Sequence, residues 1–171
     1  MHLRPMTPMD LPGVLAVQQH CHAPAFHEPE AAFASKVSGS PGTCWVATRA
    51  ATASERADIQ AYLVCLPVDA HSLPALHAPQ WHPPASAQAL YIHDLAVLPA
   101  AQGQSLATRM LDLAREQAQA MDLQEMVLVA VQGSEAFWRR QGFVERPLPD
   151  GTPRDKLLSF GAGACFMASA V

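Results

Sequence analysis

The sequence predicts an α/β domain of mixed α+β character, with a central mixed, mostly antiparallel sheet of six to seven strands and helices on both faces. Three observations predict it. Strand-like and helix-like segments follow one another in the order β-α-α-β-β-β-α-β-α-β-β. Residues 44–48 and 59–66 are neighbouring strand-like runs with a polar connection over 49–58, the pattern of an antiparallel pair. The helical stretch 102–120 lies between two apolar runs, a β-α-β crossover that makes its two strands parallel. A sheet mixing both kinds of pairing buries its two faces under helices. With 171 residues, half of them apolar and 15% charged, the chain suits a single domain over residues 1–171 with one substantial core.

Element by element, residues 3–6 form a short first strand, where Pro5 suits an edge. Thr7 then caps a helix that has Pro8 and Asp10 in its first turn and Leu11, Val14, Leu15 and Val17 at helical spacing. A second helix starts near Glu28, Pro29 and Glu30, carries Ala32, Phe33 and Val37 on one side, and stops at the turn residues 39–42. Residues 67–87 hold five prolines and three histidines (His71, His77, His82) without a period. A connection this long is either a substrate-facing flap or a plain insertion, and its length does not separate the two. Residues 90–98 form an apolar strand interrupted by His93 and Asp94 and stopped by Pro99. Residues 102–105 open a helix that runs to about Ala120, with Leu106, Met110, Leu113 and Ala114 on one stripe and Asp122 beyond it in a left-handed position. Residues 126–131 read as a strand covered on both faces, residues 133–141 as a short helix closed by Gly142. Residues 143–144 and 156–167 supply the last strands, the second broken or bulged at Gly161 and Gly163.

Composition removes several classes of function. A net charge of −4 argues against nucleic acid as a partner, because neutralising phosphates needs a basic face. No apolar run is long enough to cross a bilayer, and the opening residues lack the apolar stretch of a secretory signal, so a cytoplasmic protein is expected. Cys21, Cys44, Cys65 and Cys165 are scattered and read as thiols rather than a disulfide framework. His20, Cys21 and His22 invite a metal reading, but helical residues two apart do not share a face, so no metal site is expected.

The chemistry concentrates in two segments. Strand, turn and helix around Gly103 and Ser105 make a generic anion site, because the first helical turn leaves N–H groups unpaired and the helix dipole adds positive potential. His93 and Asp94 are polar residues in an apolar strand, on opposite faces if side chains alternate. His93 is the candidate catalytic base, since imidazole titrates near working pH. Asp94 is a second candidate, or a structural hydrogen-bond partner.

Residues 99–107 read Pro-Ala-Ala-Gln-Gly-Gln-Ser-Leu-Ala ahead of an amphipathic helix. Residues 133–143 read Gly-Ser-Glu-Ala-Phe-Trp-Arg-Arg-Gln-Gly-Phe. In order and spacing the two resemble the acetyl-CoA-binding and second motifs of the GNAT superfamily of N-acetyltransferases, and residues 3–11 resemble its first strand and helix. The resemblance implies the GNAT-type acyl-CoA acyltransferase fold, acetyl-CoA as co-substrate, no metal, and direct attack by a primary amine of a small molecule or peptide. It implies backbone contacts from Leu95, Ala96 and Val97 to the pantetheine arm, and a pyrophosphate wrapped by Gln102, Gly103, Gln104, Ser105, Leu106 and Ala107. It places Phe137 and Arg140 beside the coenzyme, and leaves a homodimer open. Three departures stand out. Gln102 replaces the frequent Arg, Ser105 replaces a glycine, and Trp138 stands where the family often has a Tyr acid. An indole N–H does not act as a general acid near neutral pH, so Trp138 is expected to be a packing wall. The missing Tyr also allows a rival function, a non-catalytic acyl-CoA-binding protein of the same fold.

Overall fold

A computed structural model describes residues 1–49, 58–69, 73–150, 152 and 154–171. Its strands are β1 (His2–Pro5), β2 (Cys44–Thr48), β3 (Ile59–Val68), β4 (Ala89–Val97), β5 (Glu125–Ala130), β6 (Val144–Glu145) and β7 (Cys165–Ala170). Its helices are α1 (Leu11–Cys21), α2 (Glu30–Gly39), α3 (Leu106–Ala120), α4 (Glu135–Arg140) and α5 (Arg154–Leu158). The strands form one seven-stranded sheet in the order β1-β2-β3-β4-β5-β7-β6. Every pairing is antiparallel except β4 with β5. The mixed, mostly antiparallel sheet is the one expected, and Pro5 does lie on an edge strand.

Each face of the sheet has its own core. One packs Leu11, Val14 and Val17 of α1 and Phe33 and Val37 of α2 against Tyr62, Val64, Tyr91 and Ala96. The other packs Leu106, Met110, Leu111 and Ala114 of α3 and Trp138 of α4 against Leu63, Leu90, Ile92 and Leu128. The stripe on α3 is therefore what holds its N-terminus beside the ends of β4 and β5.

Several expectations are corrected. Residues 102–105 do not begin α3; they form the turn before it, and Ser105 at its entry has a φ of +56°. The strand expected over 156–167 is a short helix, α5, and the strand begins only at Cys165. The apolar pairs in that stretch suit a strand by composition, but Gly161 at φ +105° turns the chain before pairing can start. Thr7 caps a single 3-10 turn ahead of α1, where the Asp10 carboxylate accepts from Thr7 N–H (2.8 Å) and Thr7 O–H (3.0 Å) and takes both guanidinium nitrogens of Arg4. Asp122 does adopt the left-handed conformation, at φ +56°. The connection expected over 49–58 lies mostly outside the described residues, as do residues 70–72 of the Pro- and His-rich segment.

The described part of that segment is pinned to α2. Trp81 is buried, its N–H donates to Ser35 Oγ (2.8 Å) and its indole N–H to Ser40 Oγ (3.0 Å). No helix among the described residues is long and apolar enough to cross a membrane.

Candidate active site

The sheet opens at the parallel pair β4–β5. Its register runs from Ala89 opposite Glu125 to Ile92 opposite Leu128 and stops there. Beyond it β4 continues to Val97 against β3, while β5 continues to Ala130 against β7. The two strands part company, and a cleft of about 680 Å³ opens between them. Leu95, Val97, Gln102, Gly103, Ser105, Leu106, Ala107 and Phe137 line it, with His93 and Asp94 further in.

The α3 end of the cleft is formed by a helix N-terminus. Arg109 N–H reaches back to Ser105 C=O (3.0 Å), so the amides of Leu106, Ala107 and Thr108 precede the first helical donor and have no acceptor within the helix. All three residues line the cleft. Gly103 sits at φ +76° and an added Cβ there would meet nothing within 4 Å, so glycine serves the backbone angle and not local space. Gln102 folds its amide back to donate to Val97 C=O (3.3 Å).

Three residues expected at the coenzyme do not line the cleft. Ala96 is opposite Tyr62 in the β3–β4 register and its methyl is buried in the α1–α2 core. The side chains of Gln104 and Arg140 are exposed outside the cleft. Trp138 does form a wall, buried edge-on against Phe137 and Phe143 at centroid distances of 4.9 and 5.5 Å.

His93 and Asp94 lie on the same face of the sheet, contrary to simple alternation. The register slips between Val64 and Cys65, so that Val64 faces Asp94 and Cys65 faces Ile92. His93 is the extra residue of a β-bulge, which shifts the alternation by one position. Both side chains thus project toward α1 and α2, where each meets a partner the sequence did not suggest. His93 donates its Nε2–H to Glu28 Oε2 (3.0 Å), with its side chain only 3% exposed and its Nδ1 buried without a partner among the described residues. The Glu28 carboxylate also accepts from Lys36 Nζ (3.0 Å) and from His77 N–H (3.0 Å). Burial alone would raise the Glu28 pKa, but the hydrogen bond and charge of His93, with those of Lys36, overcome it and pull it down to about 2.

Asp94 accepts from Tyr62 O–H at 2.6 Å and faces His22 Nε2 at 2.8 Å. In the sequence His22 reads as part of a helical triplet. The helix ends one residue earlier, at Cys21, and His22 is extended (φ −116°, ψ 151°), which swings its ring onto the cleft wall. Burial disfavours protonation of His22, yet the hydrogen bond and charge of Asp94 outweigh it and hold its pKa above the usual value. Cys44 and Cys65 are buried thiols, while Cys21 is half-buried, lines the cleft and donates to Val97 C=O (3.5 Å). Among the described residues no three His, Cys, Asp or Glu side chains converge as a metal site.

Residues 12–143 match the Acetyltransferase (GNAT) family. The chain belongs to that family. Solved GNAT structures superpose over nearly its full length. The GphF GNAT-like decarboxylase in complex with isobutyryl-CoA aligns at a TM-score of 0.75 and 15% identity, over 99% of both chains. Ard1 from Thermoplasma volcanium aligns at 0.71 and 15%, over 99% of this chain and 97% of the other. The ribosomal-protein-S18-alanine N-acetyltransferase from Escherichia coli aligns at 0.65 and 17%, over 99% and 93%. At such identities the GNAT fold is what they share. A comparison with curated proteins returns no match.

Proposed function

We propose that this GNAT protein transfers the acetyl group of acetyl-CoA to a primary amine of a small molecule or peptide, by direct attack in a ternary complex. The observation that carries the reading is the cleft. It combines unpaired helix amides at one end, free strand edges along its length and ionisable side chains at its inner wall. In this reading the amides of Leu106, Ala107 and Thr108, reached over Gly103 and Ser105, hold the pyrophosphate. Leu95 and Val97, on the edge of β4 that β5 has left, offer their backbone groups to the pantetheine arm. Phe137 and the edge of Trp138 close the far wall.

Holding amine and thioester together supplies much of the rate. The N–H groups beside Val97 stabilise the oxyanion as the C–N bond forms. A thiolate leaves without strong acid assistance, so Trp138 in place of an acid is compatible with turnover; a thiol pKa of about 8.5 for cysteine is a guide. His93, tied to Glu28 and nearly closed off from the cleft, takes a positioning role here rather than that of the base.

The anion site has a direct test. Ala107→Asp places a carboxylate in the first turn of α3, where it favours the helix but repels a pyrophosphate. Calorimetric titration with acetyl-CoA should show affinity falling at least about tenfold, roughly 1.4 kcal/mol, while thermal stability is kept. Unchanged affinity would place the coenzyme elsewhere. Tight binding with no thiol release on any amine would favour an acyl-CoA-binding protein instead.

A further inference from the structure

We propose that His22 is the base that takes a proton from the acceptor's ammonium group, with Asp94 and Tyr62 as positioning residues behind it. The proposal rests on the transferase reading above and adds the residue that makes the amine nucleophilic.

The geometry points to one atom. His22 Nε2 lies 2.8 Å from Asp94 Oδ1, and a carboxylate at that position accepts, so Nε2 carries the ring proton. The other carboxylate oxygen, Oδ2, accepts from Tyr62 O–H at 2.6 Å. With both oxygens engaged, Asp94 is fixed and fixes the tautomer of His22 in turn. The lone pair on His22 Nδ1 has no hydrogen-bond donor among the described residues. The ring lines the cleft and keeps 21% of its side-chain surface exposed. His27 Nε2 lies 2.9 Å from the His22 carbonyl and holds the extended backbone from the other side.

The competing groups are otherwise occupied. His93 is 3% exposed and bonded to Glu28. Asp94 has no oxygen left without a partner. The Cys21 thiol is pushed up by burial and by Asp94, so it stays protonated. The ionisable groups facing His22 are therefore Asp94 from β4, Tyr62 behind it on β3, Cys21 at the end of α1, and His27 on the connection to α2. The Glu28–His93 pair lies across the bulge. Among the described residues only Asp94 places a charge in direct contact with the ring.

The step balances in protons. His22 Nδ1 removes one proton from the ammonium, leaving a neutral amine with a free lone pair. The amine nitrogen bonds to the thioester carbonyl carbon, the carbonyl electrons move to oxygen, and their return breaks the C–S bond. The second amine proton passes to the departing sulfur as thiol. Protonated His22, with 21% of its side-chain surface exposed, returns its proton to water.

The test uses the full chain, acetyl-CoA and a panel of amines comprising a short peptide with a free N-terminus, a polyamine and an arylalkylamine, read as thiol release. In the wild type, kcat/KM for the best amine should rise with pH along a single limb set by His22. His22→Gln should lower kcat by about 10²–10⁴ at pH 7 and abolish that limb, with acetyl-CoA affinity unchanged. Asp94→Asn should move the limb to lower pH, because the charge that favours imidazolium is gone. Tyr62→Phe should move it to higher pH, because the carboxylate loses a competing donor. A merely structural role would not shift the limb in opposite directions. If His22→Gln keeps both rate and limb while the wild type turns over, the proposal is overturned and the transferase reading stands. If the wild type binds acetyl-CoA but acetylates no amine, the transferase reading falls and takes this proposal with it.

Discussion

Ser105 enters α3 at a φ of +56°, a conformation in which a Cβ crowds the backbone. The turn needs that angle to point the following amides into the cleft, so the strain belongs to the site. Ser105→Gly should relieve it and raise stability by about 1 kcal/mol, roughly 2–4 °C in melting temperature for a chain of this size. A melting temperature that stays level or falls would show that the serine is not strained. The sequence flagged this residue as a departure from glycine, but the sign of its φ is a property of the turn. His93 and Asp94 were legible as misfits in an apolar strand. Their shared face was not, because a bulge is defined by the partner strand and β3 carries no local mark of it. His22 was hidden by a helix boundary one residue earlier than its spacing argument assumed. Lys36 had a readable signal, since it follows Ala32 by one helical turn on the buried stripe of α2. Its partner Glu28, before a proline, read only as a helix start.

The elements that build the cleft were the most legible, and for a common reason. α3 buries one long stripe, and β4 and β5 are apolar on both faces, so their patterns stand out from the rest of the chain. The last helix and strand were misread because α5 is short and contributes no buried residue, leaving no period to detect. Packing between elements adds constraints that periodicity does not reveal. Gly13 of α1 lies against β3, where an added Cβ would come within 2.6 Å of Ile59 Cγ1. Helix propensity alone makes Gly13→Ala favourable by about 1 kcal/mol. The contact reverses that sign, and denaturant unfolding should find the variant less stable by about 1–3 kcal/mol, as overpacking costs. A more stable Gly13→Ala would mean that α1 can shift off the sheet freely. Such a shift would also carry His22 away from Asp94, which makes the packing of α1 a condition of the site.

At the scale of the whole molecule, the Glu28 carboxylate joins four segments: the connection after α1, α2 through Lys36, β4 through His93, and the residues 73–88 through His77 N–H. Lys36 also donates to Ala78 C=O (3.2 Å). The Pro- and His-rich segment thus bonds to Glu28 and Lys36, and none of its described residues lines the cleft. The Glu28 pKa of about 2 is depressed from the 4.5 of a free side chain. A depressed carboxylate contributes stability that is present above its unfolded pKa and lost as pH falls through the folded one. Unfolding free energy should therefore drop between about pH 4.5 and pH 2, and Glu28→Gln should flatten that part of the profile. Lys36→Met, which leaves the carboxylate short of its buried cation, should cost about 3–5 kcal/mol at neutral pH. A variant as stable as the wild type would remove the cluster from the account.

If the opening between β4 and β5 holds acetyl-CoA for attack by an amine, thiol release from acetyl-CoA, followed with and without each amine of the panel, will report it. Release should depend on both an amine and an intact α3 entry, accompanied by a mass gain of one acetyl group on the amine. Release that ignores the amine, or survives Ala107→Asp undiminished, would rule this cleft out as the transferase site.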